Sequence, residues 1–219
     1  MDVLIIGANR GIGLEFVKQL KEQGHSIIAT CRKVSSQLEN LNVDIVPEID
    51  VSLEAGRIAL KKKLHNKKFD MVIHNAGILR NESLDHFNTE TIMEQLNTNS
   101  VAPLATLVLL IDHLKPGAKI GVLSSRMGSI SDNTSGGTYG YRMSKAALNA
   151  GMKSLSVDLK NKHIYVAILH PGWVKTDMTQ HNGMIDTNES VHGLIKIMEN
   201  LNESNSGKFW HTNGEELNW

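Results

Sequence analysis

Residues 1–13 read MDVLIIGANRGIG, and the rest of the chain is organised around them. Val3 to Ile6 is a short apolar run of branched residues, as a buried parallel strand requires. Gly7, Gly11 and Gly13 follow at once, and Ile12, Phe16, Val17 and Leu20 then recur at helical spacing. The reading is strand, glycine-rich turn, helix. Glycines let the backbone of such a turn bend and approach a ligand closely. The free N–H groups and dipole of the helix start then favour a phosphate.

Composition bounds the remaining choices. A chain of 219 residues is read as one domain, residues 1–219, with a substantial core. Its 23 basic and 23 acidic residues cancel, which argues against a nucleic-acid partner held by bulk charge. The one cysteine, Cys31, forms no intrachain disulfide, and this fits a reducing compartment. The first strand begins almost at residue 1, where a cleavable signal would stand. The most apolar run, Val101 to Ile111, is too short to span a bilayer. These features give the expectation of a soluble cytoplasmic protein with no membrane partner. The histidines show no metal-ligand spacing, so no metal is expected.

Further apolar runs at His25–Thr30, Val43–Ile49, Phe69–Ile73, Ala118–Leu123 and His163–Leu169 read as strands, with a short final strand in GKFWHTNGEELNW. Helical patterns alternate with them, including Phe87–His113 and Glu189–Leu201. The second strand ends in Cys31-Arg32-Lys33, where a site preferring NAD commonly has an acid for the ribose 2′-hydroxyl. Arg32 and Arg10 instead suit a 2′-phosphate, which guanidinium binds in a bidentate way, so NADP(H) is expected over NAD(H). The lysines at 61, 62, 63, 67 and 68 read as a solvated helix face.

A helix beginning near Tyr139 carries Tyr141-Arg-Met-Ser-Lys145, and residues four apart share a helix face. A free tyrosine has a pKa of about 10, and a nearby ammonium lowers it. Tyr141 can then trade a proton with a carbonyl or alcohol oxygen as hydride moves at carbon. Ser125, at the carboxyl end of the fifth strand, would stabilise the charge on that oxygen. Ser124 and Ser129 are its rivals, and the Ser-x-x-Gly spacing from Ser125 to Gly128 favours Ser125. Within Phe87–His113, Pro103 has no N–H to offer the Asn99 carbonyl, so a local opening is expected there.

The Gly-x-x-x-Gly-x-Gly spacing, Asn75-Ala76-Gly77 after the fourth strand and the ordered set Asn99, Ser125, Tyr141, Lys145 together resemble the short-chain dehydrogenase/reductase family. Residues 124–149, SSRMGSISDNTSGGTYGYRMSKAALN, are similar to one subgroup, the sniffer-type carbonyl reductases and C-factor-like proteins. Ile6 departs from the family's usual threonine before the first glycine, which implies a missing loop-fixing hydrogen bond. The resemblance implies a Rossmann-type, doubly wound α/β fold with a parallel seven-stranded sheet and helices on both faces. It implies catalytic roles for Asn99, Ser125, Tyr141 and Lys145, with the Asn99 carbonyl holding a water that links Lys145 to solvent. It implies cofactor contacts at Gly7, Asn9, Arg10, Gly11, Ile12, Gly13, Arg32, Asp50, Val51, Asn75, Ala76 and Gly77. Tyr141, Lys145, Pro171, Gly172, Val174 and Thr176 complete that set. Asp50 and Val51 would face the adenine, and Val174 and Thr176 the carboxamide. Met178 to Thr187 could form a lid, with Trp173, Met127 and Met178 an apolar substrate wall.

The function expected is an NADP(H)-dependent reductase of small aldehydes or ketones. The alternative is a non-catalytic NADP(H)-binding sensor or signalling protein on the same scaffold. A serine hydrolase is disfavoured because no Gly-x-Ser-x-Gly elbow is present. Relatives of this kind are often dimers or tetramers, so a homodimer or homotetramer is an open expectation.

Overall fold

In the computed structural model, which describes residues 1–219, β1 (Asp2–Ile6) lies in the interior of the sheet, beside its central strand. It pairs with β2 (Ser26–Thr30) on one side and β4 (Phe69–His74) on the other. β3 (Asp44–Val46) lies outside β2, and β5 (Leu114–Leu123), β6 (Tyr165–His170) and β7 (Lys208–His211) extend the other half. The order is β3-β2-β1-β4-β5-β6-β7, and every pairing is parallel. The fold is a Rossmann-type doubly wound sheet of seven strands, as expected from the sequence. Its winding reverses between β1 and β4, which opens a crevice at the carboxyl ends of those strands.

Period-two alternation divides the strand side chains between two cores. Leu4, Ile6, Val72, Ile120, Val122 and Ile168 face α3 (Glu54–Leu64), α5 (Ala102–Leu109) and α6 (Tyr139–Asp158). Val3, Ile5, Ala29, Ile73, Ala167 and Leu169 face α1 (Gly11–Glu22) and α7 (Thr187–Asn200). Because both faces are covered, the strands read as continuous apolar runs. α2 (Ser36–Glu39) and α4 (Thr89–Leu96) complete the helices.

Several boundaries differ from the sequence reading. β3 stops at Val46, because Pro47 lacks an amide hydrogen and Glu48 adopts a left-handed backbone (φ 63°). β5 starts earlier, at Leu114, and crosses a register shift against β4. The long helical stretch 87–113 resolves into α4, a five-residue π turn at Asn97–Val101, and α5. The π turn is how the chain takes up Pro103: the amide of Ala102 donates five residues back, to the Asn97 carbonyl. No helix is long and apolar enough to cross a membrane, and no group of side chains has the arrangement of a metal site.

Candidate active site

The glycine loop is built by close approach. Gly7 has φ +85°, and a Cβ there would stand 2.7 Å from the Ala76 nitrogen. A Cβ on Gly13 would lie 2.1 Å from the Gly7 oxygen. Ile6 is buried and supplies no hydroxyl, so other groups hold the loop. The Asn75 side-chain amide donates to the Gly7 carbonyl at 2.8 Å, and the Ser35 hydroxyl donates to the Asn9 carbonyl at 2.8 Å. The amides of Gly7 and Ala8 both donate to the Thr30 carbonyl. α1 begins here with no side-chain cap, so its first amides face the crevice mouth without an intrahelical partner. The Asn9 side-chain oxygen is also buried and unpartnered. Glycines with no room for a Cβ, uncapped amides and an unspent buried polar atom fit the phosphates of a dinucleotide.

Around this loop the other expected cofactor residues take distinct places. Arg32 is exposed at the end of β2, outside every ion pair of the structure. Arg10 is engaged: its guanidinium pairs with Asp177, whose carboxyl it holds below the usual range. Arg10 is thus held by an exposed ion pair while Arg32 has none. Asp50 turns its carboxylate onto Ser52, accepting from the amide at 3.0 Å and the hydroxyl at 2.6 Å. Val51 beside it is buried. On the far side, Gly172 takes φ +83° and Val174 bridges to Ile185. Thr176 faces Gly11, where a Cβ would meet the threonine methyl at 3.5 Å. The Pro171 carbonyl accepts from the Ser190 hydroxyl at 2.6 Å. Residues 173–185 fold back as a flap, with the Met184 amide donating to the Trp173 carbonyl. Trp173 and Met178 on it are exposed, while Met127 is half-buried.

The four proposed catalytic residues gather beside the crevice, and all are buried. The Asn99 side chain is fully hydrogen-bonded. Its oxygen accepts from the Ile78 amide at 2.8 Å, and its nitrogen donates to the Ile78 carbonyl at 2.8 Å and the Ser144 hydroxyl at 3.0 Å. Ser144 donates in turn to the Tyr141 carbonyl at 2.8 Å, so Asn99 joins the loop after β4 to α6. Gly77 sits between, where a Cβ would be 3.2 Å from the Asn99 oxygen and 3.8 Å from Lys145 Nζ. Lys145 Nζ lies 5.6 Å from the centre of the Tyr141 ring and donates to the Leu123 carbonyl at 2.8 Å. Tyr139 points elsewhere, edge-on to Phe87 at 5.9 Å.

Of the three candidate serines, only Ser125 lowers the pKa of the Tyr141 phenol, and its hydroxyl oxygen accepts from the Met127 amide at 3.2 Å. The Ser124 hydroxyl donates to Asn149 at 2.5 Å, and Ser129 lies 3.3 Å from Ser131. Burial outweighs that pull, so the Tyr141 phenol is pushed up to about 12. Burial likewise brings the Lys145 ammonium down to about 8. This corrects the sequence argument at one point. Proximity of Lys145 does not make Tyr141 a ready phenolate in the protein alone, because desolvation favours the neutral form of both groups.

One buried group escaped the sequence reading. Glu82, in the loop between β4 and α4, is 4% exposed and accepts three side-chain or amide hydrogen bonds through its carboxylate. Nothing local in the sequence marks it, since its partners lie on α4 and α6. His74, at the end of β4, is fully buried with both ring nitrogens unpartnered and its pKa lowered to about 3 by burial.

A phosphate cradle at the switch point of a doubly wound sheet, beside a buried tyrosine, lysine and serine, defines an oxidoreductase of the dinucleotide-binding class. The chain belongs to the short chain dehydrogenase family, whose family model matches residues 2–184. It is 36% identical over 223 residues to 1-hydroxy-2-glutathionyl-2-methyl-3-butene dehydrogenase of Rhodococcus sp. (strain AD45), with 99% of each chain covered. It is 36% identical over 153 residues to the C-signal protein of Myxococcus xanthus, covering 68% of this chain and 92% of that one. Among solved structures, the carbonyl reductase Sniffer of D. melanogaster superposes with a TM-score of 0.91 at 32% identity, covering 100% of this chain and 99% of that chain. The NADPH-bound carbonyl reductase from chicken fatty liver superposes with a TM-score of 0.89 at 33% identity, covering 100% and 98%.

Proposed function

We propose that this chain is an NADP(H)-dependent carbonyl reductase of small aldehydes or ketones, acting as a single catalytic domain over residues 1–219. The observation that carries the reading is the position of Tyr141, buried beside Ser125 and Lys145 next to the phosphate cradle at the carboxyl ends of the strands. The NADPH-bound chicken reductase, similar along the whole chain, supports the choice of cofactor.

In this reading Gly7, Asn9, Gly11, Ile12 and Gly13 hold the pyrophosphate, and Arg32 the 2′-phosphate. Asp50 and Val51 border the adenine, and Asn75, Ala76 and Gly77 line the path between. Pro171, Gly172, Val174 and Thr176 flank the nicotinamide side. The cofactor supplies hydride to the carbonyl carbon. Tyr141 gives its proton to the carbonyl oxygen, and Ser125 donates a hydrogen bond to the same atom as charge develops on it. Lys145 contacts the nicotinamide ribose and, with its pKa near 8, is matched to returning a proton to Tyr141. Asn99 keeps the role of holding a water through the carbonyl that Pro103 leaves without a helical donor.

The test is a panel of aldehydes and ketones assayed with NADPH and NADH in parallel. NADPH oxidation dependent on the carbonyl is the expected result. Tight NADPH binding with no turnover across the panel would overturn it in favour of a non-catalytic NADP(H) sensor.

A further inference from the structure

The helix that carries Tyr141 begins without a cap of its own. Thr138 precedes it in the left-handed region (φ 50°) and makes no side-chain capping bond. Its opening amides are met from a distant loop. The Thr138 amide donates to the Glu82 carbonyl at 2.8 Å, and the Gly140 amide donates to Glu82 Oε2 at 3.0 Å. Glu82 Oε1 accepts from the Gln95 side-chain amide at 2.7 Å and from the Thr91 hydroxyl at 2.8 Å, both on α4. Gln95 is itself held in one orientation, since its oxygen accepts from the Arg80 amide at 2.8 Å. One carboxylate thus clamps the first turn of α6 to α4, one residue before Tyr141.

The site selects an acid. The Gly140 amide and the Gln95 NH2 can only donate, and they reach different oxygens of Glu82. A glutamine at position 82 would turn its NH2 toward one of them. Neither could adjust, because an amide hydrogen is fixed and flipping Gln95 would break its bond to Arg80. The packing is equally exacting. A Cβ on Gly140 would stand 2.4 Å from the Gln95 side-chain nitrogen and 2.9 Å from Ile92 Cα. A negative group at a helix N-terminus also has the favourable sign for the helix dipole.

We propose that Glu82 is a positioning residue that fixes Tyr141 for proton transfer by fastening the start of α6 to α4. The proposal rests on the reading of Tyr141 as the proton donor. Glu82→Gln is expected to lower kcat about 30-fold while KM for NADPH moves less than about twofold, as for a misplaced reacting group. The double variant Glu82→Gln/Gln95→Glu reverses donor and acceptor across the pair and is expected to recover part of the lost kcat. Amide hydrogen exchange should show lost protection at Gly140 and Tyr141 in Glu82→Gln and its return in the double variant. An unchanged kcat, or a lowered kcat with no recovery in the double variant, would overturn the proposal. Should the wild-type chain reduce no carbonyl, the functional reading fails by itself. The exchange data then decide the clamp: unaltered protection in Glu82→Gln would refute it.

Discussion

The Lys145 ammonium donates to the Leu123 carbonyl at 2.8 Å, so the lysine is tethered to the end of β5 while facing the Tyr141 ring at 5.6 Å. The catalytic helix and the strand bearing Ser125 are therefore joined through the residue expected to touch the cofactor. Tyr141→Phe leaves this tether in place and removes only the proton. It should cost about a thousandfold in turnover, within the range for a general acid, while NADPH affinity measured by fluorescence titration stays near wild type. Full turnover in that variant would exclude Tyr141 as the proton donor.

Lys145 also sets a pH signature in stability. Its folded pKa, about 8, lies below its ordinary value of 10.5, so the unfolded chain binds the extra proton between those values. Stability owing to this group is present above pH 10.5, falls as pH drops toward 8, and is level below that. Lys145→Met should remove the dependence. Its melting temperature relative to wild type is expected to be higher at pH 7 than at pH 10, while turnover is lost.

The buried histidines act in the acid range. His74 and His170 both have pKa values lowered to about 3 by burial, with Lys145 adding repulsion to each. Each is neutral in the fold and must gain a proton on unfolding once the pH falls below 6.5. Stability is thus lost from pH 6.5 downward, at about 1.4 kcal/mol for each tenfold difference in proton affinity. His74→Asn should flatten the fall in melting temperature between pH 7 and pH 4. An identical slope in the variant would show that another group governs acid unfolding.

At the glycine loop the limit is steric. Gly13→Ala would drive a methyl to 2.1 Å from the Gly7 oxygen and 2.6 Å from the Asn75 amide that anchors the loop. The loop must open to relieve the clash. NADPH binding is expected to weaken by at least tenfold, with a loss of about 2 kcal/mol in stability by urea unfolding. Retention of wild-type affinity would refute the loop as the phosphate site.

Cofactor choice should respond to both arginines in different ways. Arg32→Asp is expected to shift the ratio of kcat/KM for NADPH over NADH toward NADH by at least about tenfold. Asp177→Asn releases Arg10, whose side chain is 65% exposed and free to swing once unpaired. If the freed guanidinium reaches the 2′-phosphate, preference for NADPH should rise about threefold, the modest scale of an exposed ion pair. An unchanged ratio would confine Arg10 to holding the flap.

Much of this architecture was written locally along the chain. Val3–Ile6 with its three glycines is a strand, turn and helix in any context, because branched residues, glycines and period-3.6 spacing each act over a few residues. Tyr141 and Lys145 share a face by helix geometry alone, so their pairing needed no fold. Where an amino acid's role depends on distant partners, the sequence was silent. The acid at Glu82 finds Thr91, Gln95 and Gly140 only when α4 and α6 pack. The ion pair of Arg10 with Asp177 joins residues 167 positions apart, and nothing local announced it. Pro103 foretold an opening in the helix, but whether the backbone would kink or widen into a π turn depended on what packs against it. The ordering of covalent neighbours determined which elements form and where the chemistry sits. Burial, which is a property of the assembled fold, shifted the proton affinities of Tyr141 and Lys145, because the cost of removing a charge from water exists only once the water has gone.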